Sequence, residues 1–155
     1  MPRNSRRLCP PRQGDQETRQ QDLLSLVPEE PRRGYDMNRV IETVVDDKQK
    51  FVLKPDFDRS VITCLARIEG HSVGIIANQP MCTAGAMGPD GCDKCCSFIC
   101  LCDSFNIPLI FLHETPGFLV ERAAEHKRLP GKIINFIEAV ALSTVPKISL
   151  AIRKS

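Results

Sequence analysis

Strand-length apolar runs alternate with helical segments from residue 60 onwards, and this alternation most constrains the fold. Residues 60–70 and 71–80 are two apolar runs that meet at a Gly-His pair, which predicts paired strands joined by a tight turn. The cysteine-bearing stretch 92–105 is predicted to be a helix, and Pro108 and Pro146 each open a further strand, with a helical segment between them. The predicted order is β-β-α-β-α-β, which is typical of an α/β domain.

The N-terminal residues differ in composition from the rest of the chain. Residues 1–21 contain five Arg and three Pro without apolar periodicity, so they are predicted to be a disordered tail. Their Arg content fits a mitochondrial transit peptide, but Asp15, Glu17 and the lack of an amphipathic face argue against one. A short helix is predicted to begin at Asp36 as its N-cap. We expect one folded unit over residues 22–155, because 155 residues allow one core but not two.

Composition and charge exclude several classes of protein. A hydrophobic fraction of 42% is that of a folded chain. The net charge of +2, with basic residues not gathered on one folded segment, argues against nucleic-acid binding. No stretch approaches the roughly 18 consecutive apolar residues of a membrane span. The N-terminus also lacks the apolar centre of a secretory signal. We therefore expect neither nucleic acid nor membrane as a partner.

Five of the eight cysteines fall between Cys92 and Cys102. On a helix, Cys92, Cys96 and Cys100 share one stripe, with Cys95 and Cys102 beside it. Buried thiols behave as small hydrophobes, so this face is predicted to pack against a sheet. A metal site is the alternative, but the single CxxC has no distant partner pair, so no metal is expected. Close neighbours on one helix bridge poorly, which favours a reducing, intracellular compartment, either the cytoplasm or the mitochondrial matrix.

Motifs for side-chain catalysis are missing from the sequence. There is no GxSxG, Walker loop or GxGxxG, and His113-Glu114 is not followed by a second His at the zinc-protease spacing. His71 and His126 are expected to be solvated. No side-chain acid, base or nucleophile is therefore predicted.

Two glycine-centred loops remain, TAGAM at residues 83–87 and ETPGF at residues 114–118. Each follows a strand and precedes a helix. A helix entrance leaves N–H groups unpaired, and Gly lets a ligand approach them closely. Together the loops have the means to place N–H donors at a developing oxyanion. The other interpretation is that both are ordinary strand-to-helix turns, and spacing alone favours it.

Four segments carry a resemblance to a known family. In order, they are LLSLVPEEPRRGYDMNRVIETVVDD, LARIEGHSVGIIANQP, DKCCSFICLCDSFNIPLIFLHETPGF and STVPKISLAIRKS. The motifs RRGYDM, IANQP, FNIPL and TPGF within them are together highly specific. The chain resembles part of the C-terminal half of the carboxyltransferase (β) subunits of biotin-dependent acyl-CoA carboxylases. That family includes the propionyl-CoA, acetyl-CoA and methylcrotonyl-CoA carboxylases and related decarboxylases.

The resemblance implies a crotonase-like fold, a superhelix of ββα units, here truncated. It also implies transfer of a carboxyl group from carboxybiotin to the α-carbon of an acyl-CoA, with both enolates held by main-chain N–H pairs. Biotin would arrive on a partner carrier domain and not be bound covalently here. The implied partners are the acyl-CoA substrate, a biotin carboxylase/biotin carrier subunit and further carboxyltransferase subunits in a homo-oligomer.

The family's site maps onto the two loops and the strand before them. By resemblance, the main-chain N–H groups of Gly85 and Ala86 are candidate catalytic donors. The implied biotin- or substrate-binding residues are Asn78, Gln79, Ala84, Thr115, Pro116, Gly117 and Phe118.

The chain also departs from the family pattern. Relatives continue beyond the RKS-like strand end with a Gly/Ala-rich turn that donates to the biotin oxyanion, whereas this sequence stops at Ser155. Where many relatives read LPG after TPGF, residues 119–121 read LVE, which leaves the acyl group open. We therefore expect a fragment that is inactive alone. The alternative is a short isoform that docks on full-length carboxylase subunits. A self-sufficient hydratase or isomerase is disfavoured, because half of the oxyanion site would be missing.

Overall fold

The computed structural model describes residues 16–30, 33–119 and 128–153. In this part of the chain, one sheet carries helices on both faces, and two short 3-10 turns cover Asp46–Lys48 and Thr83–Gly85. The helices are α1 (Gln16–Leu26), α2 (Met37–Val44), α3 (Pro89–Ser104) and α4 (Leu129–Leu142). The strands are β1 (Lys50–Leu53), β2 (Val61–Ile68), β3 (His71–Asn78), β4 (Leu109–His113) and β5 (Lys147–Ala151).

The sheet follows chain order, β1-β2-β3-β4-β5. The pairs β1–β2 and β2–β3 are antiparallel, whereas β3–β4 and β4–β5 are parallel and are connected through α3 and α4. The predicted tight turn is present, but it lies one residue earlier, at Glu69-Gly70 instead of Gly70-His71, because both of these residues have positive φ, as a two-residue hairpin requires. The Asp46 carboxylate accepts both N–H groups of this turn, at 3.0 and 2.7 Å. The predicted α/β class is confirmed.

Alternation along the strands divides the core between the two faces of the sheet. On one face, α2 packs on the strands; its N-cap is Asp36, as predicted, and the carboxylate accepts from the N–H of Asn38 at 3.0 Å. On the other face, α3 and α4 pack on alternate residues of β2, β3 and β4. Gly74 of β3 permits close packing there, because a Cβ at this position would lie 2.5 Å from the Sγ of Cys102. The sheet is therefore held between two packed layers.

The cysteine-rich helix packs against the sheet, as expected, but not on the predicted stripe. Cys92, Cys95 and Cys102 are buried, whereas Cys96 is half-buried and Cys100 is exposed. The packed face is centred nearer to Phe98 and Ile99, because these larger side chains bury more apolar area than a thiol. All seven cysteines in the described part of the chain are free.

Two elements were not predicted from the sequence. Helix α1 includes residues 16–21, which we had assigned to the disordered tail; the rest of that tail, residues 1–15, lies outside the described residues. Helix α1 contains three Gln, three Leu, one Glu and one Arg, which favour helix without apolar periodicity, and Leu23 and Leu26 pack on the α2 side of the core. Strand β1 is only four residues long, and its pairing with β2 sets its conformation.

Apolar side chains remain exposed at one end of the sheet. All five residues of β5 are exposed, including Ile148 and Leu150, and α4 exposes Ile134, Ile137 and Leu142. Among the described residues, no helix combines the length and apolar character needed to cross a membrane.

Candidate active site

Two loops follow the carboxyl ends of neighbouring parallel strands. β3 ends at Asn78 and β4 ends at His113, and the two strands are paired in parallel. We call residues 82–88 the TAGAM loop and residues 114–119 the TPGF loop. Carboxyl ends of adjacent parallel strands meet at one edge of a sheet, which is where ligands bind in open α/β sheets. The topology therefore places both loops at a favourable edge.

Main-chain hydrogen bonds join the two loops. The N–H of Met87 donates to the carbonyl of Gly117 at 3.1 Å, and the N–H of Leu119 donates to the carbonyl of Met87 at 3.0 Å. Met87 and Phe118 thus form an isolated parallel bridge outside the main sheet. The structure brings together the two Gly-centred loops that the sequence singled out.

The Asn78 side chain forms a second link between the loops. Its amide nitrogen donates to the carbonyl of Gly85 at 3.2 Å, and its amide oxygen accepts from the N–H of Glu114 at 3.4 Å. Asn78 is buried, so leaving either group unpaired would be costly. Its location at the end of β3 therefore fixes the distance between the first residue of one loop and the turn of the other.

The TAGAM loop contains a left-handed turn. Thr83, Ala84 and Gly85 have φ values of 46°, 53° and 84°. For residues other than Gly, this conformation costs roughly 1–2 kcal/mol each. The Thr83 hydroxyl stabilises the turn, because it donates to the carbonyl of Ala86 at 2.9 Å. Strained residues of this kind gather at functional sites, which makes the turn a candidate.

Gly85 is in close contact with the main chain of the other loop. A Cβ built on Gly85 would lie 2.1 Å from the carbonyl oxygen of Glu114. Any other residue would therefore push the start of the TPGF loop away from the TAGAM loop. Gly117 has a φ of 125°, and a Cβ there would meet no atom within 4 Å. The space beside Gly117 is open, whereas the space beside Gly85 is filled.

Hydrogen bonds within the TAGAM loop occupy the two predicted catalytic donors. The N–H of Gly85 donates to the carbonyl of Cys82 at 2.8 Å, and the N–H of Ala86 donates to the carbonyl of Thr83 at 3.0 Å. In this arrangement both groups hold the turn together. A role in which they bind a ligand would require these bonds to open.

The main chain of Phe118 is oriented differently. In the bridge with Met87, the hydrogen bonds come from the residues on either side of Phe118, so its own N–H and carbonyl point away from Met87. The Thr115 hydroxyl fixes the preceding turn, since it accepts from the N–H of Gly117 at 3.0 Å and donates to its carbonyl at 2.9 Å. Phe118 therefore presents an ordered donor and acceptor outside the loop pairing.

The predicted site residues divide into a rim and a support. The exposed ones are Ala84, Pro116 and Phe118; Thr115 and Gly117 are half-buried; Asn78, Gln79, Gly85 and Ala86 are buried.

Gln79 directs its side chain to α2 instead of the loops. Its amide nitrogen donates to Asp36 at 2.6 Å, and its amide oxygen accepts from the N–H of Met37 at 3.1 Å. Burial alone would raise the pKa of Asp36, but the hydrogen bonds from Gln79 and Asn38 lower it. Gln79 thus anchors the start of α2 beneath the sheet edge.

The entrance of α3 is covered by an acidic side chain. A Cβ on Gly91 would lie 2.9 Å from Oδ2 of Asp58, so this carboxylate lies against the first turn, where the helix dipole favours negative charge. Lys94 is buried on the same helix and donates to the carbonyls of Asp58 and Val61 at 3.1 and 2.7 Å. Burial lowers the pKa of Lys94. We expected this helix entrance to offer N–H groups to a ligand, but Asp58 covers it.

A buried ionic network lies directly behind the TPGF loop. Glu114 is fully buried; it accepts from the Tyr35 hydroxyl at 3.1 Å and from the guanidinium of Arg153 at 3.1 and 3.2 Å. Burial, followed by the nearby Glu114 carboxylate, raises the pKa of Tyr35. The network was not predicted from the sequence, where Glu114 stood only as part of His113-Glu114 and as the first residue of ETPGF. The available signal was that Glu114 and Arg153, which carry opposite charges, lie at the ends of two successive predicted strands.

The rim offers main-chain groups and apolar surface. Its exposed residues, Ala84, Pro116 and Phe118, carry no charge. Within the described ranges, no group of three or more His, Cys, Asp or Glu residues is placed to hold a metal ion. The chemistry that this arrangement supports is stabilisation of a developing negative charge by oriented N–H groups.

Comparison with known proteins gives a consistent result. A sequence model described as the carboxyl transferase domain matches residues 1–155. The chain is 40% identical over 134 residues to the methylmalonyl-CoA decarboxylase subunit alpha of Propionigenium modestum, covering 86% of this chain and 26% of the relative. It is 36% identical over 134 residues to a propionyl-CoA carboxylase, carboxyltransferase subunit, of Haloferax mediterranei, with the same two coverages.

Among solved structures, the chain is similar to the transcarboxylase 12S subunit, which was crystallised with methylmalonyl-coenzyme A and methylmalonic acid as a hexamer assembly. The TM-score is 0.83 at 37% identity, covering 84% of this chain and 26% of that one. The chain therefore spans about a quarter of the length of the relatives it matches.

Proposed function

Since the chain belongs to the carboxyl transferase domain family, we propose that it forms one wall of a site that transfers a carboxyl group from carboxybiotin to an acyl-CoA. The crotonase-like fold is shared with solved carboxyltransferase structures. Because the chain spans about a quarter of its relatives, the proposal assigns it a part of the site and not the whole activity.

The proposed reaction is a group transfer from the ureido nitrogen of biotin to a carbon acid, the acyl-CoA thioester. The C–N bond of carboxybiotin breaks, a C–C bond forms at the α-carbon of the acyl-CoA thioester, and the α-proton ends on the biotin nitrogen. Negative charge develops on the ureido oxygen and then on the thioester oxygen. Oriented N–H groups are the protein's means of stabilising both.

The observation that carries the proposal is the pairing of the TAGAM and TPGF loops through Met87 and Phe118. It supports a rim in which the N–H of Phe118 faces the ligand and Gly117 leaves space for it. Thr115 and Pro116 would shape the turn, Ala84 would line the opposite side, and Asn78 and Gln79 would support the strand end. Gly85 and Ala86 remain proposed donors, in a state in which their bonds inside the turn have opened.

The rim suits a neutral bicyclic urea such as biotin. The exposed rim residues are uncharged, so they neither attract nor repel the carboxylate of carboxybiotin through net charge. A Cβ at Gly117 would meet no atom within 4 Å, so the space beside this turn is open to a ligand. The biotin is proposed to arrive on a partner carrier domain, and the acyl-CoA and further carboxyltransferase subunits complete the site. A reducing compartment, either the cytoplasm or the mitochondrial matrix, suits the free cysteines of the described region.

The test is carboxyl transfer by the assembled enzyme carrying Gly117→Val. Valine is strained at a φ of 125°, and its side chain would fill the open space beside the turn. Together these effects should lower kcat at least about tenfold, because the side chain displaces both the turn and the ligand. Gly131→Val is the control, since a Cβ there also meets nothing within 4 Å but lies in α4. Unchanged transfer by Gly117→Val would remove the TPGF loop from the site.

The exposed apolar side chains favour a second function, that of a non-catalytic subunit which docks on full-length carboxylase subunits. Ile134, Ile137 and Leu142 of α4, with Ile148 and Leu150 of β5, form more exposed apolar surface than scattered single residues would. Native mass spectrometry and pull-down with full-length subunits distinguish the two functions. A stable complex whose transfer rate equals that of the full-length subunits alone would favour docking.

A further inference from the structure

We infer that Glu114 and Arg153 are positioning residues that hold the TPGF loop against the TAGAM loop, an inference that rests on the proposed function. Neither contacts the open side of the rim. Their effect would pass through the main chain of Glu114, which is the first residue of the TPGF loop.

Glu114 is fixed by both its side chain and its main chain. Oε1 accepts from Nε and Nη2 of Arg153 at 3.2 and 3.1 Å, and Oε2 accepts from the Tyr35 hydroxyl and the N–H of Arg153 at 3.1 and 3.0 Å. The N–H of Glu114 donates to Asn78, and its carbonyl oxygen is in contact with Gly85. Every polar group of the side chain is satisfied, so the residue has little freedom to move.

Arg153 connects this point to a distant segment. Its Nη atoms donate to three main-chain carbonyls, those of Pro28, Glu30 and Arg33, at 2.9, 2.8 and 3.2 Å. Its guanidinium also lies over the Tyr35 ring, 4.8 Å from the centroid. A planar fork with five donors can satisfy this set of acceptors, whereas a lysine cannot.

The network also continues the sheet. The N–H of Ile152 donates to the carbonyl of His113 at 3.0 Å, which is a parallel-sheet bond between β5 and β4. One residue further on, the N–H of Arg153 donates to the Glu114 carboxylate at 3.0 Å. β5 is therefore followed directly by a bond to the Glu114 side chain, at the point where the main chain leaves β4 for the TPGF loop.

Glu114→Gln is the sharpest perturbation, although it keeps the size of the side chain. All the groups around the carboxylate donate hydrogen bonds to it. Of these, only the Tyr35 hydroxyl is also able to rotate and accept one. An amide NH2 would therefore face another donor at one of the two oxygen positions. Arg153→Lys is the second variant, since it keeps the charge but loses the fork. Lys50→Met is the control, because it removes a half-buried ion pair with Glu42 at 2.6 Å in another part of the fold.

The experiment measures peptide-level hydrogen exchange and carboxyl transfer in the assembled protein. We expect exchange of residues 83–88 and 114–119 to rise at least about tenfold in Glu114→Gln and Arg153→Lys, but less than about twofold in Lys50→Met. We expect kcat to fall about 10- to 100-fold, with KM changed by less than about threefold, because the loops would move without losing contacts to substrate.

Equal exchange in the two loops of Glu114→Gln and wild type would overturn the inference, as would an equal rise in Lys50→Met. If the wild-type assembly does not transfer a carboxyl group from carboxybiotin, the proposed function fails. The exchange comparison still decides whether the two residues position the loops.

Discussion

Replacing Gly85 by alanine tests whether the contact between the two loops sets the geometry of the site. The added Cβ would lie 2.1 Å from the carbonyl oxygen of Glu114. Even close contacts between a carbon and an oxygen atom are about 3.3 Å long, so Gly85 and Glu114 must move apart by about 1.2 Å. The left-handed φ of 84° adds about 1–2 kcal/mol, and displacing a packed group adds about 1–3 kcal/mol. We expect Gly85→Ala to lower the free energy of unfolding by about 2–5 kcal/mol.

Urea denaturation measures the change in the free energy of unfolding, and a separate carboxyl-transfer assay of the native protein measures the change in kcat. A shift of about 1 Å in the TPGF loop should lower kcat about 100-fold. Gly34→Ala is the control, because its Cβ would meet its nearest atom, the carbonyl oxygen of Pro80, at an ordinary 3.6 Å. That variant should stay within about 0.5 kcal/mol of wild type. A Gly85→Ala variant as stable as Gly34→Ala would show that the loops yield easily, and the reasoning would be wrong.

Three further predictions concern the support of the site and the helices. Burial lowers the pKa of Lys94 from 10.5, so the folded chain loses this proton at a lower pH than the unfolded chain; the free energy of unfolding of wild type relative to that of Lys94→Met should therefore increase as the pH rises towards 10.5, and parallel curves in denaturant titrations would contradict this. Iodoacetamide should label exposed Cys100 in the native protein and buried Cys95, whose pKa burial raises, only after unfolding; equal labelling by mass spectrometry would count against the packing of α3. Asp46→Ala should cost about 1–2 kcal/mol in urea denaturation, because two N–H groups of the turn at residues 69–70 lose their acceptor, whereas Asp46→Asn should cost less.

The sequence predicted the elements whose pattern is local. β2 and β3 were visible because eight-residue apolar runs flank a turn, and α3 and β5 because their apolar or thiol residues recur with a clear period. β1 was missed, since three apolar residues are too few to show alternation and its conformation depends on pairing with β2. The predicted buried stripe of α3 lies one position away from the observed one around the helix, because the thiols bury less apolar area than Phe98 and Ile99.

The site was predicted as a pair of loops but not as a connected unit. The motifs identified the TAGAM and TPGF loops, and the parallel pairing of β3 with β4 explains why they meet. The links between them depend on side chains that are far apart in the sequence: Asn78 bonds to a residue 36 positions away, and Tyr35 to one 79 positions away. Such contacts follow from topology, so no local pattern reveals them. The use of the Gly85 and Ala86 donors inside their own turn is likewise a matter of backbone conformation.

The tight fit between Gly74 and Cys102 leaves no room for a larger group at position 102, and burial, which raises the pKa of the Cys102 thiol to about 11, protects that sulfur from oxidation. Helix α3 has 16 residues, so Cys102 lies about 20 Å along the axis from the end that follows the TAGAM loop. The space that a Cβ on Gly74 would need is already filled by the Cys102 sulfur, so an oxygen atom added to that sulfur has no room unless the helix tilts. Because a helix of this length moves as a stiff rod, the tilt would displace its opposite end and the loop attached to it. Any enlargement of the group at position 102 would therefore move the TAGAM loop without touching it.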